Sequence, residues 1–416
     1  MTYQECTEWM FGQLPMYQRQ GKAAYKANLD NTRALMDLLN HPYKKFKSVH
    51  IAGTNGKGSV AHLMASAYQE AGYTTGLYTS PHLKDFRERI RVNGQMIGEE
   101  EVVQFIEKHQ KEFESIQPSF FEMTVGMAFW YFEQQEVDYA ILEVGMGGRL
   151  DSTNVVIPEL SVITNIGKDH QQFLGDTLEQ IAGEKAGIIK AGVPVVIGER
   201  QEETRKVFTQ KAQELDAPIA FADQEYRIEK DGDQYTISGD FLSIPLQVPL
   251  YGNYQKKNIL TAFSACRYLE LDLERIMMGF NRLIENTGFK GRWEILQETP
   301  KIICDTAHNE EGLMEVMQQL KNEKYQQLHI VLGVVNDKSP DRILSFFPRE
   351  AQYYFCKADI PRGLDAHELK EQAQKHDLKG HVYSTVAEAF YSATGNAQSE
   401  DLIFVGGSTF VVAEVL

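Results

Sequence analysis

Short apolar runs rich in β-branched residues alternate along this chain with longer segments of helical periodicity. Residues 48–52 (SVHIA), 137–144 (VDYAILEV) and 160–166 (LSVITNI) are typical of strands, and a helical pattern at 58–72 follows the first of them. Strands that are apolar throughout and separated by helices favour a mostly parallel sheet with both faces covered. The alternation therefore predicts an α/β fold.

Residues 53–59, GTNGKGS, join the first predicted strand to this helix. The strict phosphate-loop pattern G-x-x-x-x-G-K-[ST] fails, because Ile51 stands where its first glycine belongs and the hydroxyl of Ser59 comes one residue late. Three glycines nevertheless let backbone amides turn inward, the helix adds its positive end, and Lys57 adds a cation. The pattern favours phosphate binding over its alternative, a glycine-rich turn with a solvated lysine.

The residue pattern changes near residues 225–250 and again near 285–291. An Asp-Gly turn between alternating runs predicts a β-hairpin in the first segment, and ENTGFKG in the second is linker-like. A second series of strands and helices follows, with strands at 301–305, 328–333, 352–356, 381–384 and 401–406. We predict an N-terminal domain at 1–288 with a P-loop-type, mostly parallel sheet and a smaller Rossmann-like α/β domain at 292–416. The cleft between such domains is the usual ligand site.

The net charge excludes some partners. A formal charge of −16 argues against a general binder of nucleic acids or anionic membranes. No apolar run approaches the length of a membrane span, and the N-terminal segment MTYQECTEWMFGQLP lacks a signal-peptide pattern. Four scattered cysteines are typical of reduced thiols, so we expect a cytoplasmic protein.

Several polar residues follow predicted strands or interrupt apolar patterns. Glu143 is where a Mg²⁺-binding carboxylate would be needed, although it could instead cap the next turn. His170 could be a ligand or a structural histidine. The hydroxyl of Ser80 could bind a metal, but a turn hydrogen bond is favoured. Lys185 lies on a predicted helix, where lysines are typically solvated.

The second series of elements has its own polar strand end. Asp305 could accept from a ribose or hold Arg292, or this segment could simply cap the next helix through Asp305, Thr306 or Asn309. The glycines of GGSTF (406–410) could bind an anion, but tight packing between strand and helix explains them equally well.

Taken together, these motifs resemble those of folylpolyglutamate synthase/dihydrofolate synthase, a family of the Mur ligase superfamily. They are AGTNGKGS (52–59), TSPHL (79–83), LEVGMGGRLDSTN (142–154), the pair Asp169-His170, GEKAGIIK (183–190), GNYQKKN (252–258) and DTAHNEEG (305–312). They run in family order over most of the chain. The resemblance explains the unusual loop, since the family uses the form GTNGKGS.

The resemblance implies roles for individual residues. The nucleotide set is Asn55, Gly56, Lys57, Gly58 and Ser59 at the phosphates, completed across the cleft by Asn258, Arg292 and Asp305. Ser80 and Glu143 would hold one Mg²⁺ and His170 a second. Lys185 matches a lysine that the family carbamylates, and the catalytic set would be Lys57, Glu143, His170 and Lys185. The substrate set is Leu150, Asp151, Tyr25 and Phe120, of which both aromatics could also be ordinary core residues.

The implied activity is an ATP- and Mg²⁺-dependent ligase that adds L-glutamate to dihydropteroate, to folyl-polyglutamate or to both, through an acyl phosphate. GGRLD favours the bifunctional enzyme. The alternatives are a monofunctional folylpolyglutamate synthase, a nucleotide-binding regulatory ATPase and a cell-wall Mur ligase, for whose nucleotide-sugar domain the roughly fifty residues before the loop are too few. We expect a monomer whose partners are ATP, L-glutamate and dihydropteroate or a reduced folate, with neither a nucleic acid nor a membrane.

Overall fold

The computed structural model describes residues 1–13, 28–240, 242–336 and 340–416. They divide into two compact units, the first with two sheets and the second with one. The first unit comprises Met1–Pro249 and Gln255–Phe289, and the second comprises Leu250–Tyr254 and Lys290–Leu416.

The first unit alternates strands and helices along most of its length. Its strands are β1 (Lys47–Ala52), β2 (Thr75–Tyr78), β3 (Ile90–Val92), β4 (Gln95–Met96), β5 (Tyr139–Glu143), β6 (Leu160–Ile163), β7 (Val195–Ile197), β8 (Ile219–Phe221), β9 (Arg227–Asp231), β10 (Gln234–Gly239) and β11 (Leu242–Gln247). Its helices are α1 (Tyr3–Gln13), α2 (Asp30–Leu38), α3 (Lys57–Glu70), α4 (Glu99–Ile116), α5 (Phe120–Gln134), α6 (Gln171–Leu174), α7 (Leu178–Ala186), α8 (Glu202–Glu214), α9 (Ala222–Glu225), α10 (Gln255–Tyr268), α11 (Leu273–Asn281) and α12 (Leu283–Thr287).

The larger sheet of this unit has the order β4-β3-β2-β5-β1-β6-β7-β8. All neighbours from β2 to β8 in that order pair in parallel, whereas β3 and β4 are antiparallel additions at one edge. The predicted α/β fold with a mostly parallel sheet is thereby confirmed. The antiparallel edge was not predicted, since its strands are too short to show a periodic pattern; the Asn93-Gly94 turn with both φ values positive joins them.

Apolar side chains of the first unit pack in clusters, two of which lie among its described residues. One packs Phe105 of α4 and Phe129 of α5 with strand residues such as Leu142, and the other packs Ile181 of α7 and Phe208 of α8 with further strand residues. Helix α5 begins with a capping box in which the Ser119 side chain accepts from Glu122 N–H and the Glu122 side chain accepts from Ser119 N–H. Such covered sheet faces leave the strand ends as the place for polar chemistry.

The predicted hairpin is part of a small antiparallel sheet, in the order β11-β10-β9. β9 and β10 flank the predicted Asp231-Gly232 turn, in which Gly232 has a φ of +57°. The prediction of a linker at 285–291 is wrong at its start, because α12 continues to Thr287. The helix ends at Gly288, which adopts the left-handed conformation usual after a helix.

The second unit has a sheet with the order β12-β13-β17-β14-β15-β16. These strands are β12 (Glu294–Glu298), β13 (Lys301–Asp305), β14 (Leu328–Leu332), β15 (Gln352–Phe355), β16 (Lys379–Val382) and β17 (Leu402–Gly406). The helices are α13 (Glu310–Leu320), α14 (Pro340–Leu344), α15 (Ala366–Gln374), α16 (Val386–Asn396) and α17 (Thr409–Ala413). β12 pairs antiparallel with β13 and was not predicted; its residues are half-buried or exposed, so it lacks the apolar pattern of the other strands. No helix within the described ranges is long and apolar enough to cross a membrane.

Candidate active site

Four loops that carry predicted site residues start at neighbouring strand ends of the first unit. β2 leads to Ser80, β5 ends in Glu143, β1 leads to the loop at Gly53, and β6 leads towards His170. These strands are adjacent in the order β2-β5-β1-β6. Open α/β sheets bind ligands outside the carboxyl ends of their strands, so this edge is the candidate active site.

The loop after β1 is shaped to hold an anion. Gly56 has a φ of +85°, and a Cβ there would lie 2.0 Å from Oδ1 of Asn258, so the position requires glycine. Helix α3 begins without a side-chain cap on its first amides. Nζ of Lys57 donates to the carbonyl oxygens of Gly53 (3.1 Å) and Thr54 (3.2 Å). Uncapped amides, a positive helix end and a lysine together suit a phosphate chain.

Two residues that the sequence analysis missed hold this loop in shape. Asn165 accepts from Thr54 N–H at its carbonyl (3.0 Å) and from Asn55 N–H at Oδ1 (2.9 Å). Thr164 Oγ1 donates to the carbonyl of Asn55 at 2.6 Å. The amide of Asn55 is thus used inside the protein, so a phosphate contact from Asn55 would come from its side chain. The one signal for Thr164 and Asn165 was their position just after β6, next to β1.

Glu143 lies between the start of α3 and the Ser80 turn. Its side chain is buried, and Oε2 accepts from Ser80 N–H at 3.1 Å. A Cβ added to Gly58 would lie 3.6 Å from the same oxygen. Carboxylate and hydroxyl oxygens at this place are the donors that Mg²⁺ prefers, so the residues present fit such an ion. The described part of the chain contains no cluster of three or more His, Cys, Asp and Glu side chains arranged to hold a metal alone.

His170 follows β6 and precedes the short helix α6. It adopts a left-handed φ of +51°, and its backbone N–H donates to Oδ1 of Asp169 at 2.9 Å. The side chain is half-buried. A non-glycine residue held in this conformation marks a tightly specified turn at the candidate site.

Lys185 is buried, with 4% of its surface exposed, and Nζ donates to the carbonyl of Gly53 at 2.8 Å. The expectation that a helical lysine is solvated is therefore wrong here. Burial, assisted by the nearby charge of Lys57, lowers the pKa of Lys185 to about 7. Two lysines, Lys57 within the loop and Lys185 outside it, thus donate to loop carbonyls, and Lys185 is a neutral amine part of the time near neutral pH.

The glycine-rich turn after β5 is braced by Asp151. Its Oδ2 accepts from Met146 N–H (2.9 Å), and its Oδ1 accepts from the backbone N–H (3.0 Å) and hydroxyl (2.6 Å) of Thr153. Thr153 Oγ1 also lies 2.8 Å from Nε2 of His50, in the core strand β1. Burial raises the pKa of Asp151, which these hydrogen bonds oppose. Leu150, next to it, is half-buried.

Of the two aromatic residues assigned to the substrate, only Phe120 lies in the described part of the chain. Phe120 is buried, and its ring stacks on Phe11 at 5.3 Å and meets Phe86 edge-on at 5.8 Å. The structure therefore places Phe120 in an aromatic cluster of the core. Tyr25 lies outside the described residues.

The remaining nucleotide residues belong to both units. In the first, the buried Asn258 donates from Nδ2 to Oε1 of Gln255 at 2.8 Å. In the second, the buried Asp305 accepts from the Tyr254 hydroxyl and from Trp293 N–H at 2.7 Å. Burial raises the pKa of Asp305, and the positive charge of Arg292 opposes that rise.

Asn309, rather than Asp305, caps the next helix. Its Oδ1 accepts from Gly312 N–H at 2.9 Å, at the start of α13. In the GGSTF segment Ser408 plays the same part for α17, where its hydroxyl accepts from Phe410 N–H at 3.2 Å.

Two family patterns match the chain. The Mur ligase middle domain matches residues 51–266, and the glutamate ligase domain of Mur ligases matches residues 291–409. The first match covers the strand-end site described above.

Curated relatives match the chain over its whole length. The dihydrofolate synthase/folylpolyglutamate synthase of Bacillus subtilis is 33% identical, with 99% of this chain and 98% of that protein covered. A probable bifunctional folylpolyglutamate synthase/dihydropteroate synthase of Haloferax volcanii is also 33% identical, but the chain spans only 50% of its length.

Solved structures are similar over the same extent. Escherichia coli FolC in complex with DHPP and ADP is 29% identical, with a TM-score of 0.89 over 100% of this chain and 97% of that one. A bifunctional folylpolyglutamate synthase/dihydrofolate synthase with Mn, AMPPNP and L-glutamate bound is 28% identical, with a TM-score of 0.86 over 100% and 97%. The chain therefore belongs to the Mur ligases and, among these enzymes, to the folylpolyglutamate synthase/dihydrofolate synthase family of ligases.

Proposed function

We propose that this protein is an ATP- and Mg²⁺-dependent ligase that joins L-glutamate, through an amide bond, to the carboxylates of dihydropteroate and of reduced folyl-polyglutamates. One observation carries the proposal: the loop 53–59, the buried Glu143 and the buried Lys185 meet at one sheet edge. Support also comes from the related structures, which hold ADP, DHPP, AMPPNP, Mn and L-glutamate.

The first unit supplies the groups for the phosphates of ATP. The amides at the start of α3, with Gly58 and Ser59, donate to the phosphate oxygens, and Asn55 contributes its side chain. Lys57 leaves the neutral loop carbonyls for the charged phosphate, because an ion pair in a partly buried site is stronger than a bond to a carbonyl. We propose Asn258, Arg292 and Asp305 as further nucleotide residues, as the family resemblance implies.

The proposed metal sites use side chains at the strand ends of the first unit. Mg²⁺, when bound, would stabilise the negative charge of the phosphate oxygens. Glu143 and Ser80 would hold one ion, and His170 would contribute to a second. Carbamylation of Lys185 would replace an ammonium by oxygen donors, and its depressed pKa supports this proposal because only the neutral amine attacks CO₂.

The reaction has two covalent steps. The acceptor carboxylate attacks the γ-phosphorus of ATP, the bond to the bridging oxygen breaks, and an acyl phosphate and ADP result. The amine of L-glutamate then attacks the acyl carbon and expels phosphate. Lys57 stabilises charge on the transferred phosphoryl group, while Asp151 and Phe120, with Leu150 and Tyr25, are proposed acceptor residues.

Phosphate release from ATP and Mg²⁺ tests the proposal. Release should require both L-glutamate and an acceptor, either dihydropteroate or tetrahydrofolate, and mass spectrometry should show the glutamylated product. Activity on both acceptors identifies the bifunctional enzyme, which the GGRLD turn favours. Activity on tetrahydrofolate alone would leave the alternative, a monofunctional folylpolyglutamate synthase. Release that ignores glutamate would contradict the ligase and indicate a regulatory ATPase.

Two substitutions test the residue roles. Lys57→Ala and Glu143→Ala should each lower kcat/KM at least about 100-fold, since each removes a charge from the phosphoryl-transfer site. Circular dichroism should show an intact fold in both. Near-normal turnover by either variant would contradict the role proposed for that residue.

We further propose that the protein acts as a monomer in the cytoplasm, because one chain carries every candidate residue and its four cysteines are free thiols. Sedimentation equilibrium should give the monomer mass of 47.3 kDa. A mass near twice that value would overturn the monomer.

A further inference from the structure

Arg89 is a buried cation near the candidate active site. It ends the turn Phe86–Arg89, directly before β3, and only 3% of it is exposed. Its Nε donates to Nδ1 of His82 at 2.8 Å, and its Cζ lies 5.3 Å from the centre of the Phe120 ring. Since Nδ1 of His82 accepts this bond, the imidazole that faces Arg89 carries no proton there. The contacts of the guanidinium are therefore neutral groups.

A neighbouring arginine shows the usual arrangement. Arg87, two residues earlier, is half-buried and pairs with Asp85 (2.6 Å) and Glu99 (3.3 Å). For Arg89, by contrast, no ion pair with a carboxylate occurs among the residues that the structure describes. Glu143 and Glu88 act on it only at longer range.

A buried charge without a counter-charge destabilises the folded protein, because the charge has lost its hydration and has gained no compensating partner. The pKa of Arg89 is lowered by burial, as expected for a cation that its surroundings do not fully compensate. The cation–π contact with Phe120 offsets only a part of this destabilisation. Such a cation persists most readily where a ligand brings the missing negative charge.

A second buried donor lies close to Arg89. Tyr78, the last residue of β2, is fully buried, and its hydroxyl faces the Arg89 guanidinium. Within the described ranges this hydroxyl makes no hydrogen bond of ordinary geometry. Burial raises the pKa of this hydroxyl; Arg89 opposes the rise, whereas Asp151 and Glu143 add to it. The hydroxyl thus lies within the electrostatic reach of the residues proposed for the acceptor and the metal.

We propose that Arg89, assisted by the hydroxyl of Tyr78, binds the carboxylate of the pteroyl acceptor and selects acceptors that carry this negative charge. The inference rests on the proposed function and names a specificity determinant within it. A guanidinium fork matches a carboxylate with two parallel hydrogen bonds, and a phenol adds a third donor. The charge of Arg89 also offsets that of Glu143, which would otherwise repel an anionic substrate.

Binding of two ligands that differ by one charge tests this inference. Isothermal titration calorimetry would compare dihydropteroate with its neutral carboxamide, using the wild-type protein, Arg89→Met, Arg89→Lys and Tyr78→Phe. Arg87→Lys is the matched control for Arg89→Lys, because Arg87 lies on the same turn and already has carboxylate partners.

Arg89→Met should weaken dihydropteroate binding about 10- to 100-fold while binding of the carboxamide changes less than about threefold. Arg89→Lys should lose about tenfold for dihydropteroate, since lysine keeps the charge but not the fork, and Arg87→Lys should match the wild type. Tyr78→Phe should show the same selectivity on a smaller scale. ATP affinity should stay unchanged in all variants.

If Arg89→Lys and Tyr78→Phe weakened the binding of both ligands equally, the two residues would only support the local structure and the inference would be overturned. Unchanged binding of dihydropteroate in these variants would overturn it as well. The two conservative variants keep this test valid even if Arg89→Met does not fold. Failure of the proposed function is a separate result: the wild-type protein would then show no glutamate-dependent release of phosphate. A working ligase whose variants do not discriminate between the two ligands would contradict the role of Arg89 alone.

Discussion

At the scale of one residue, Lys185 makes the stability of the folded chain depend on pH. Its ordinary pKa of 10.5 falls to about 7 in the folded chain, because the side chain is buried beside Lys57. Between these two values the unfolded chain binds more protons at this position than the folded one. By linkage, this group makes the free energy of unfolding rise with pH from about 7 towards 10.5.

The variant Lys185→Met should lack this contribution. Urea unfolding at pH 7 and pH 9, in buffer free of CO₂, should show a larger gain in stability for the wild-type protein than for the variant between the two conditions. Lys190→Met is a useful comparison, because Lys190 is only half-buried and donates to the carbonyl of Asn154 rather than to the phosphate loop, although burial lowers its pKa as well. The same pH response in wild type and Lys185→Met would contradict the depressed pKa.

At the scale of the element, strand β1, the loop 53–59 and helix α3 form one unit whose glycines have separate tasks. Gly56 and Gly72 flank α3 and have nearly equal positive φ values, +85° and +87°. A Cβ on Gly56 would collide with Asn258, whereas a Cβ on Gly72 would have nothing within 4 Å. Alanine at either position therefore strains the backbone, but only one substitution disturbs the candidate nucleotide site.

Gly56→Ala and Gly72→Ala should accordingly separate stability from nucleotide binding. Both should lower the free energy of unfolding by about 1–2 kcal/mol, the cost of an L-residue in the left-handed region. Only Gly56→Ala should raise the KM for ATP, by about tenfold or more, because it displaces Asn258 and the loop amides. An equal rise of KM in Gly72→Ala would mean that backbone strain alone accounts for the effect.

At the scale of the whole molecule, the four cysteines lie in both units and are all fully buried. Burial raises the pKa of each thiol, for Cys6 to about 11, so the thiolate is scarce at neutral pH. Ellman's reagent should therefore label none of the four in the native protein within minutes and all four in guanidinium chloride. Fast labelling of any native thiol would show that its unit opens locally.

Local patterns carried much of the fold and part of the site. The strand–GTNGKGS–helix segment, the Asp231-Gly232 turn and the buried strands were predictable, because each depends on residues adjacent in the chain: glycine where φ is positive, apolar runs where both sheet faces are covered. The same holds for the placement of Glu143 at a strand end. Parallel strands end at the same edge of a sheet. The phosphate loop after β1 and Glu143 at the end of β5 could therefore be expected to lie at one edge from the order of the strands alone.

Contacts between distant residues depended on the folded chain. The bond from Lys185 to Gly53 joins residues 132 apart, and that from Asn55 to Asn165 joins residues 110 apart. Neither residue type reveals its partner, since a helical lysine is usually solvated and an asparagine after a strand usually caps a turn. The burial of Arg89 beside His82 and Phe120 arises in the same way. Periodicity and turn chemistry act between neighbours in sequence, whereas burial and charge compensation depend on which strands the sheet places side by side.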